Sequence, residues 1–212
     1  MRNTMILWVV MLLIALPINA QSLENIDEIA PYSEGLAAVR KGSQWGFINE
    51  EGTLVIDFRD DVYSSQNADA SKSDISGIGY PMFNEGLCVI TETIEDGVPV
   101  FGFIDTTGAV VFEPQFLNIY PFHNGYTTGV LFDKTFKGKN EFQLKIYDYK
   151  FFDVMLNTSG KVTDYFERRD YILLTLKRYE MPEIRAKVLH VGVVAIYNPE
   201  QGWKIKKVQT KN

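Results

Sequence analysis

The chain has 212 residues, 46% of them hydrophobic, with 21 basic against 27 acidic residues and a formal net charge of −6. That length can bury one sizeable core without disulfide staples, and Cys88, the single cysteine, excludes an intramolecular disulfide and is expected to be buried in a strand. A mildly acidic chain is a poor polyanion ligand, because such affinity comes from basic patches that displace phosphate counterions, so the composition argues against nucleic-acid binding.

The chain opens MRNTMILWVVMLLIALPINAQS, with Arg2, an apolar run from Met5 to Leu16, then Pro17 and Ile18-Asn19-Ala20. This reads as a secretory signal peptide. The run is shorter than the roughly 20 apolar residues that span a bilayer; an uncleaved anchor is the alternative. No cysteine follows the run to carry a lipid. Cleavage after Ala20 would remove Arg2, leaving residues 21–212 as one domain of net charge −7, secreted or periplasmic, with no stable membrane insertion. Next comes SLENIDEIA, Ser22 to Ala30, whose spacing of Leu23, Ile26 and Ile29 predicts one short helical turn capped by Ser22.

Two phrases then recur in fixed order. The first is Glu-Gly-Leu running into an apolar strand: Tyr32-Ser33-Glu34-Gly35-Leu36-Ala37-Ala38-Val39, then Phe83-Asn84-Glu85-Gly86-Leu87-Cys88-Val89-Ile90, with a weaker copy at Phe122-His123-Asn124-Gly125-Tyr126. The second is Asn or Asp, two variable residues, then Gly: Asn49 to Gly52, Asp105 to Gly108, Asn157 to Gly160 and, one residue longer, Asn198 to Gly202. Asn or Asp at the first position and Gly at the fourth favour a type I turn closed by a left-handed glycine. With strand-like residues on both sides, each copy predicts a hairpin. Between the copies, residues 62–79 are rich in Ser, Asp and Gly and predict a mobile surface loop. A second loop is expected over Asp133 to Asn140, between strands at Tyr126–Phe132 and Phe142–Tyr149. One hairpin cannot bury its own apolar face, whereas stacked copies can.

Glu-Gly-Leu-Ala-x-Val followed by Trp45-Gly46-Phe47-Ile48-Asn49-x-x-Gly52 resembles the WG, or KWG, repeat, a β-hairpin module of bacterial proteins. The resemblance implies an all-β fold, an elongated or curved array of tandem hairpins with units at about 32–61, 81–118, 120–166 and 167–205, and a binding or scaffold role. In the second unit Phe101 stands where the first has Trp45. In the third, Phe152-Asp153 takes the place of the Trp-Gly pair; in the fourth, Trp203 falls after the turn rather than before it. By alternation Trp45 and Phe47 share a face, and Gly46 is expected to admit a ring or backbone of the neighbouring unit.

Reactive side chains are few. His123 occupies the loop slot of Ser33 and Asn84, and His190 lies in the apolar run Val188 to Ile196. The acidic groupings Asp57-Asp60-Asp61, Glu92-Glu95-Asp96 and Glu167-Asp170 lie beside turns, where solvated carboxylates are ordinary. No Gly-x-Ser-x-Gly elbow or calcium-loop pattern is present. The expectation is therefore no catalytic, metal or cofactor site. Lys204, Lys206, Lys207 and Lys211 read as a solubilising strand edge. The aromatics from Tyr147 to Phe152, with Tyr165, Phe166 and Tyr171, read as core or as a partner surface. The sequence thus points to a secreted or periplasmic interaction module for protein or cell-envelope material. A hydrolase built on loop carboxylates and a structural spacer remain open alternatives.

Overall fold

The computed structural model describes residues 23–94, 97–169 and 172–209. The signal-peptide reading, Gln21, Ser22, Glu95, Asp96, Asp170, Tyr171 and Lys211 therefore lie outside the described residues. The described chain is almost entirely antiparallel β. The first sheet holds β1 (Glu28–Ile29), β2 (Ala37–Lys41), β3 (Gln44–Ile48) and β4 (Leu54–Arg59). A six-stranded sheet follows, from β5 (Leu87–Thr93), β6 (Pro99–Asp105), β7 (Val110–Ile119), β8 (Tyr126–Lys139) and β9 (Lys145–Asn157) to β10 (Val162–Arg169). The last sheet is β11 (Ala186–His190), β12 (Val193–Asn198) and β13 (Gly202–Lys207). None closes into a barrel.

All four predicted turns close hairpins: β3–β4, β6–β7, β9–β10 and β12–β13. The Asn49 side chain accepts from the amides of Glu51 and Thr53, Asp105 from those of Thr107 and Ala109, and Asn157 from that of Lys161. The closing glycines Gly52, Gly108 and Gly160 have φ of 76°, 84° and 84°. A β-branched residue in that region costs on the order of 1–3 kcal/mol. Gly52→Val and Gly108→Val should each lower the urea midpoint, with Gly108→Val the worse because its Cβ would also stand 3.1 Å from Ile56. Glu50→Ala and Thr106→Ala should change it little. Equal small shifts at all four sites would contradict this role for the turns.

The Glu-Gly-Leu phrase forms a tighter turn. Glu34-Gly35, Glu85-Gly86 and Asn124-Gly125 have positive φ at both central residues, the type I′ geometry that matches strand twist. These turns also link the units. The Glu34 carboxylate accepts from the amides of Glu85 and Gly86 at 2.6 and 2.8 Å, and the Glu85 carboxylate accepts from the amide of Gly125 at 2.6 Å. Each glutamate therefore caps the next unit's turn. The same step recurs in the core, where Phe47 meets Phe83 edge-on at 4.9 Å and Phe103 meets Phe122 at 5.0 Å. Such pairs contribute about 1 kcal/mol beyond their buried area.

Alternation on β5 shows how the core is shared. Leu87 and Val89 face a cluster with Phe101, Phe103 and Phe116, while Cys88 and Ile90 face the first sheet's Trp45, Phe47 and Ile56. Cys88 is buried as expected, and burial pushes its thiol up to about 12. At the other end Met155 and Tyr126 pack on Val194 and Ile196 of the last sheet.

Four expectations need correction. Residues 23–30 form no helix: β1 pairs with β2, where Glu28 holds Arg40 at 2.8 Å and Asp27 accepts from the Gly42 amide. Residues 62–79 are no free loop, since a 3₁₀ turn at Ile75–Gly77 drops a fully buried Ile75 into the core beside Phe101. Asp74 also accepts from buried Asn118, and Trp45 donates to Ser64. Strand β8 continues through the expected loop at 133–140, and the turn lies at Asn140–Leu144 instead. Gly46 faces its own hairpin partner rather than a neighbouring unit: a Cβ there would stand 3.0 Å from the Ile56 carbonyl oxygen. It lies opposite a β-bulge, because Trp45 pairs with Arg59 and Phe47 with Ile56. In the third unit the Trp-Gly slots fall on Phe152 and Asp153 as expected when counted from the bulge, and on Asp153 and Val154 when counted from the turn. Val154 pairs with Tyr165 and Phe152 with Arg168, so the bulge has moved one residue to lie opposite Asp153.

Candidate functional site

The bulge in β10 sets the candidate site. Phe166 and Glu167 are the two residues that face the single Asp153 there, and they are turned toward the last sheet. There they meet the fourth hairpin, and Phe166, Glu167, Asn198, Trp203, Lys204 and Lys206 line a cleft of about 390 Å³. The Lys206 ammonium sits 5.5 Å above the Phe166 ring, within reach of its negative face. Trp203 leans on Tyr197 at 5.3 Å and still exposes 61% of its surface. On the far side of Lys206 a more polar cleft of about 430 Å³ is lined by Asn157, Lys161, Thr163, Asp164 and Lys207. Together they form a grooved seam between the third and fourth hairpins. Its aromatic surfaces can hold an apolar or flat group while the lysines and Glu167 engage polar atoms at the rim.

The sequence-derived candidates separate as follows. Phe166, Glu167, Lys204 and Lys206 come together in the seam, whereas Lys207 lines only its polar side. Tyr165 is exposed near its edge and meets Phe152 edge-on at 5.5 Å. Phe151 is buried, and Tyr147 and Tyr149 are half-buried, so that aromatic run divides between core and surface. His123 occupies the first position of the third Glu-Gly-type turn, as Ser33 and Asn84 do in theirs. It borders a separate, mainly apolar cleft of about 340 Å³ with Tyr120, Tyr126, Thr128 and Lys187. His190 is an exposed residue at the end of β11. Among the described residues no three His, Cys, Asp or Glu gather closely enough to hold a metal.

Of the acidic groupings, Asp57 and Asp60 are exposed and Glu92 is exposed on β5. Asp61 grips Arg59 through two hydrogen bonds at 2.5 and 2.7 Å, and Arg59 also donates to the Gly108 carbonyl at 2.7 Å. That carboxylate therefore orients a link from the first unit to the second turn. The hydrogen bonding to the Asp61 carboxylate is also the main reason the Arg59 guanidinium is held above its usual range. The Asp105 carboxyl is held below the usual carboxylate range, first by the Thr107 hydroxyl and then by turn amides. Its contribution to stability is present above its unfolded-state pKa and is lost as pH falls through its lower folded value.

The repeated architecture is matched in sequence. A family model described as "WG containing repeat" matches residues 25–45, 45–59 and 101–128. The chain contains WG repeats. In this WG-repeat protein the matches lie in the first two units and the turn that opens the third. The third and fourth hairpins share the Asx-turn chemistry but lack the Trp-Gly pair: in the third, Phe152-Asp153 stands at the bulge, and in the fourth, Val194-Ala195 stands at the same distance before the turn. No match was found among curated proteins or among solved structures. Sequence reasoning missed that Trp203 and Lys206 line one cleft with Phe166. Its only local signal was the alternation of Trp203 and Ile205 with Lys204 and Lys206.

Proposed function

We propose that this WG-repeat protein is exported and works as an interaction or scaffold module, binding protein or cell-envelope material without a chemical step. One observation carries the reading: the repeated side chains are engaged in the fold, which leaves recognition to unrepeated exposed ones. Glu34 and Glu85 cap turns, Gly46 and Gly102 face bulges, and Phe47 and Phe103 pack on the following unit. The seam with Trp203, Phe166 and Lys206 is the surface to which we assign the partner. Crosslinking in the native envelope, with identification of what is captured, tests it. Trp203→Ala and Tyr165→Ala should weaken capture about tenfold or more, as loss of an interface anchor of about 2 kcal/mol implies, with the thermal midpoint unchanged. Undiminished capture by both would remove the seam from consideration.

Export is part of the proposal. The intact mass of protein from its native host should correspond to a chain beginning at Gln21. A mass that retains residues 1–20 would contradict it.

A further inference from the structure

Among the described residues, the outer part of the β8–β9 hairpin pairs with no further strand. β7 meets β8 no farther out than Leu131, and β10 meets β9 no farther than Phe151, whereas β8 and β9 continue to pair from Asp133–Lys150 to Lys139–Lys145. That makes a two-stranded arm about 20 Å long. Four large apolar residues are exposed on its outer eleven positions: Phe136 at 53%, Phe142 at 82%, Leu144 at 63% and Ile146 at 47%. Single exposed hydrophobics are ordinary, but a concentrated group marks a contact surface.

We propose that this arm is a peripheral membrane anchor, its tip entering the headgroup region of an anionic lipid layer. Three features favour lipid over a protein groove. The apolar residues lie on both faces: Phe136 pairs with Tyr147, and Ile146, the next residue along, points to the opposite face, while Phe142 and Leu144 occupy the turn. A protein groove would contact one face of such a ribbon; a lipid layer surrounds its tip.

The polar groups of the tip are also satisfied internally. The Asn140 side chain accepts from the amides of Phe142 and Leu144, the Asn140 amide donates to the Leu144 carbonyl, and the Gln143 amide donates to the Asn140 carbonyl. This lowers the cost of moving the turn out of water. The charge is complementary as well: residues 133–150 hold five lysines against three acidic residues in a chain of net charge −6. Lys139 and Lys145 are exposed just below the tip, while Lys137 shares Asp148 with Lys150. Glu141, in the turn, is the one opposing charge at the tip. Interfacial attachment of this kind combines apolar insertion with attraction of lysines to anionic lipid.

The inference stands apart from recognition at the seam and is tested separately, on full-length protein. Phe142→Cys, labelled with an environment-sensitive fluorophore in a Cys88→Ala background, should shift to the blue on vesicles of equal parts phosphatidylglycerol and phosphatidylcholine. The same label at Thr106→Cys, in the second unit's turn, should not shift. Lys139→Ala with Lys145→Ala should weaken the shift-derived affinity by roughly 25-fold, about fivefold per lysine, and Phe142→Ala with Leu144→Ala should weaken sedimentation with these vesicles. No shift at position 142, an equal shift at 106, or capture of a protein through the tip without any partition onto vesicles would overturn the anchor.

Discussion

Gly102→Ala should unfold the six-stranded sheet more readily than any other single methyl addition in the repeats. A Cβ at Gly102 would stand 2.3 Å from the Phe112 carbonyl oxygen and 2.8 Å from the Pro114 nitrogen, both backbone atoms of the partner strand. Phe101 pairs with Phe116 and Phe103 with Phe112, so three residues of β7 crowd over this one glycine. Backbone on both sides leaves no flexible neighbour to yield, and the cost should be on the order of 3 kcal/mol. Gly46→Ala is the internal comparison, since its tightest contacts are 3.0 Å and two of its three neighbours are side-chain atoms. Urea denaturation should rank Gly102→Ala well below Gly46→Ala, and Gly46→Ala slightly below the parent. Equal midpoints would mean that the glycine opposite the bulge is not what allows the strands to approach.

Arg169→Met should be comparably severe, for an electrostatic reason. Asp153 is 1% exposed and is held by Arg169 at 2.8 and 2.7 Å, with the Arg185 amide at 3.3 Å on the same carboxylate. Arg169 also donates to the Glu183 carbonyl, joining β10 to the segment that precedes the last sheet. Removing one partner leaves a buried charge without its counter-ion, which costs about 3–5 kcal/mol. Replacing both, as Asp153→Leu with Arg169→Met, should recover much of that loss. Thermal melts of the two singles and the double measure the coupling. Singles that simply add to give the double would show that the pair does not act as a unit.

These two sites also show what a sequence can disclose. The four Asx turns were legible because their chemistry is local: a short acceptor side chain and a left-handed glycine within four residues. The related turn at Asn140 was not, because Gln143 holds the left-handed position at φ 63° where the others have glycine. Ile75 was hidden for a different reason. A lone isoleucine among serines and aspartates carries no periodicity, and its burial depends on Phe101 and Phe116, far along the chain. The stretch 22–30 has helical spacing, yet Glu28 finds its partner on β2 and Asp27 on the turn that follows it, and long-range pairing overrides local preference. At the seam, Phe166, Glu167 and the lysines were each noticed, but their meeting is set by the bulge in β10 and the packing of the last sheet. The glutamates of the Glu-Gly-Leu phrase were legible only as part of a recurring phrase; that Glu34 and Glu85 each cap the next turn is visible only once the units are stacked.

The central claim, that the WG-repeat protein recognises a partner and carries out no chemical step, is tested most directly by measuring capture and turnover on the same variants. His123→Ala, His190→Ala, Asp57→Ala and Asp61→Ala are compared with Trp203→Ala and Tyr165→Ala, each first shown to keep the parent's circular dichroism. The account predicts that the first four retain capture of the crosslinked partner, that the aromatic variants lose it, and that purified parent protein leaves envelope polymers and peptides intact. Turnover of such a polymer or peptide by the parent, abolished by any one of the first four substitutions with the fold intact, would contradict it.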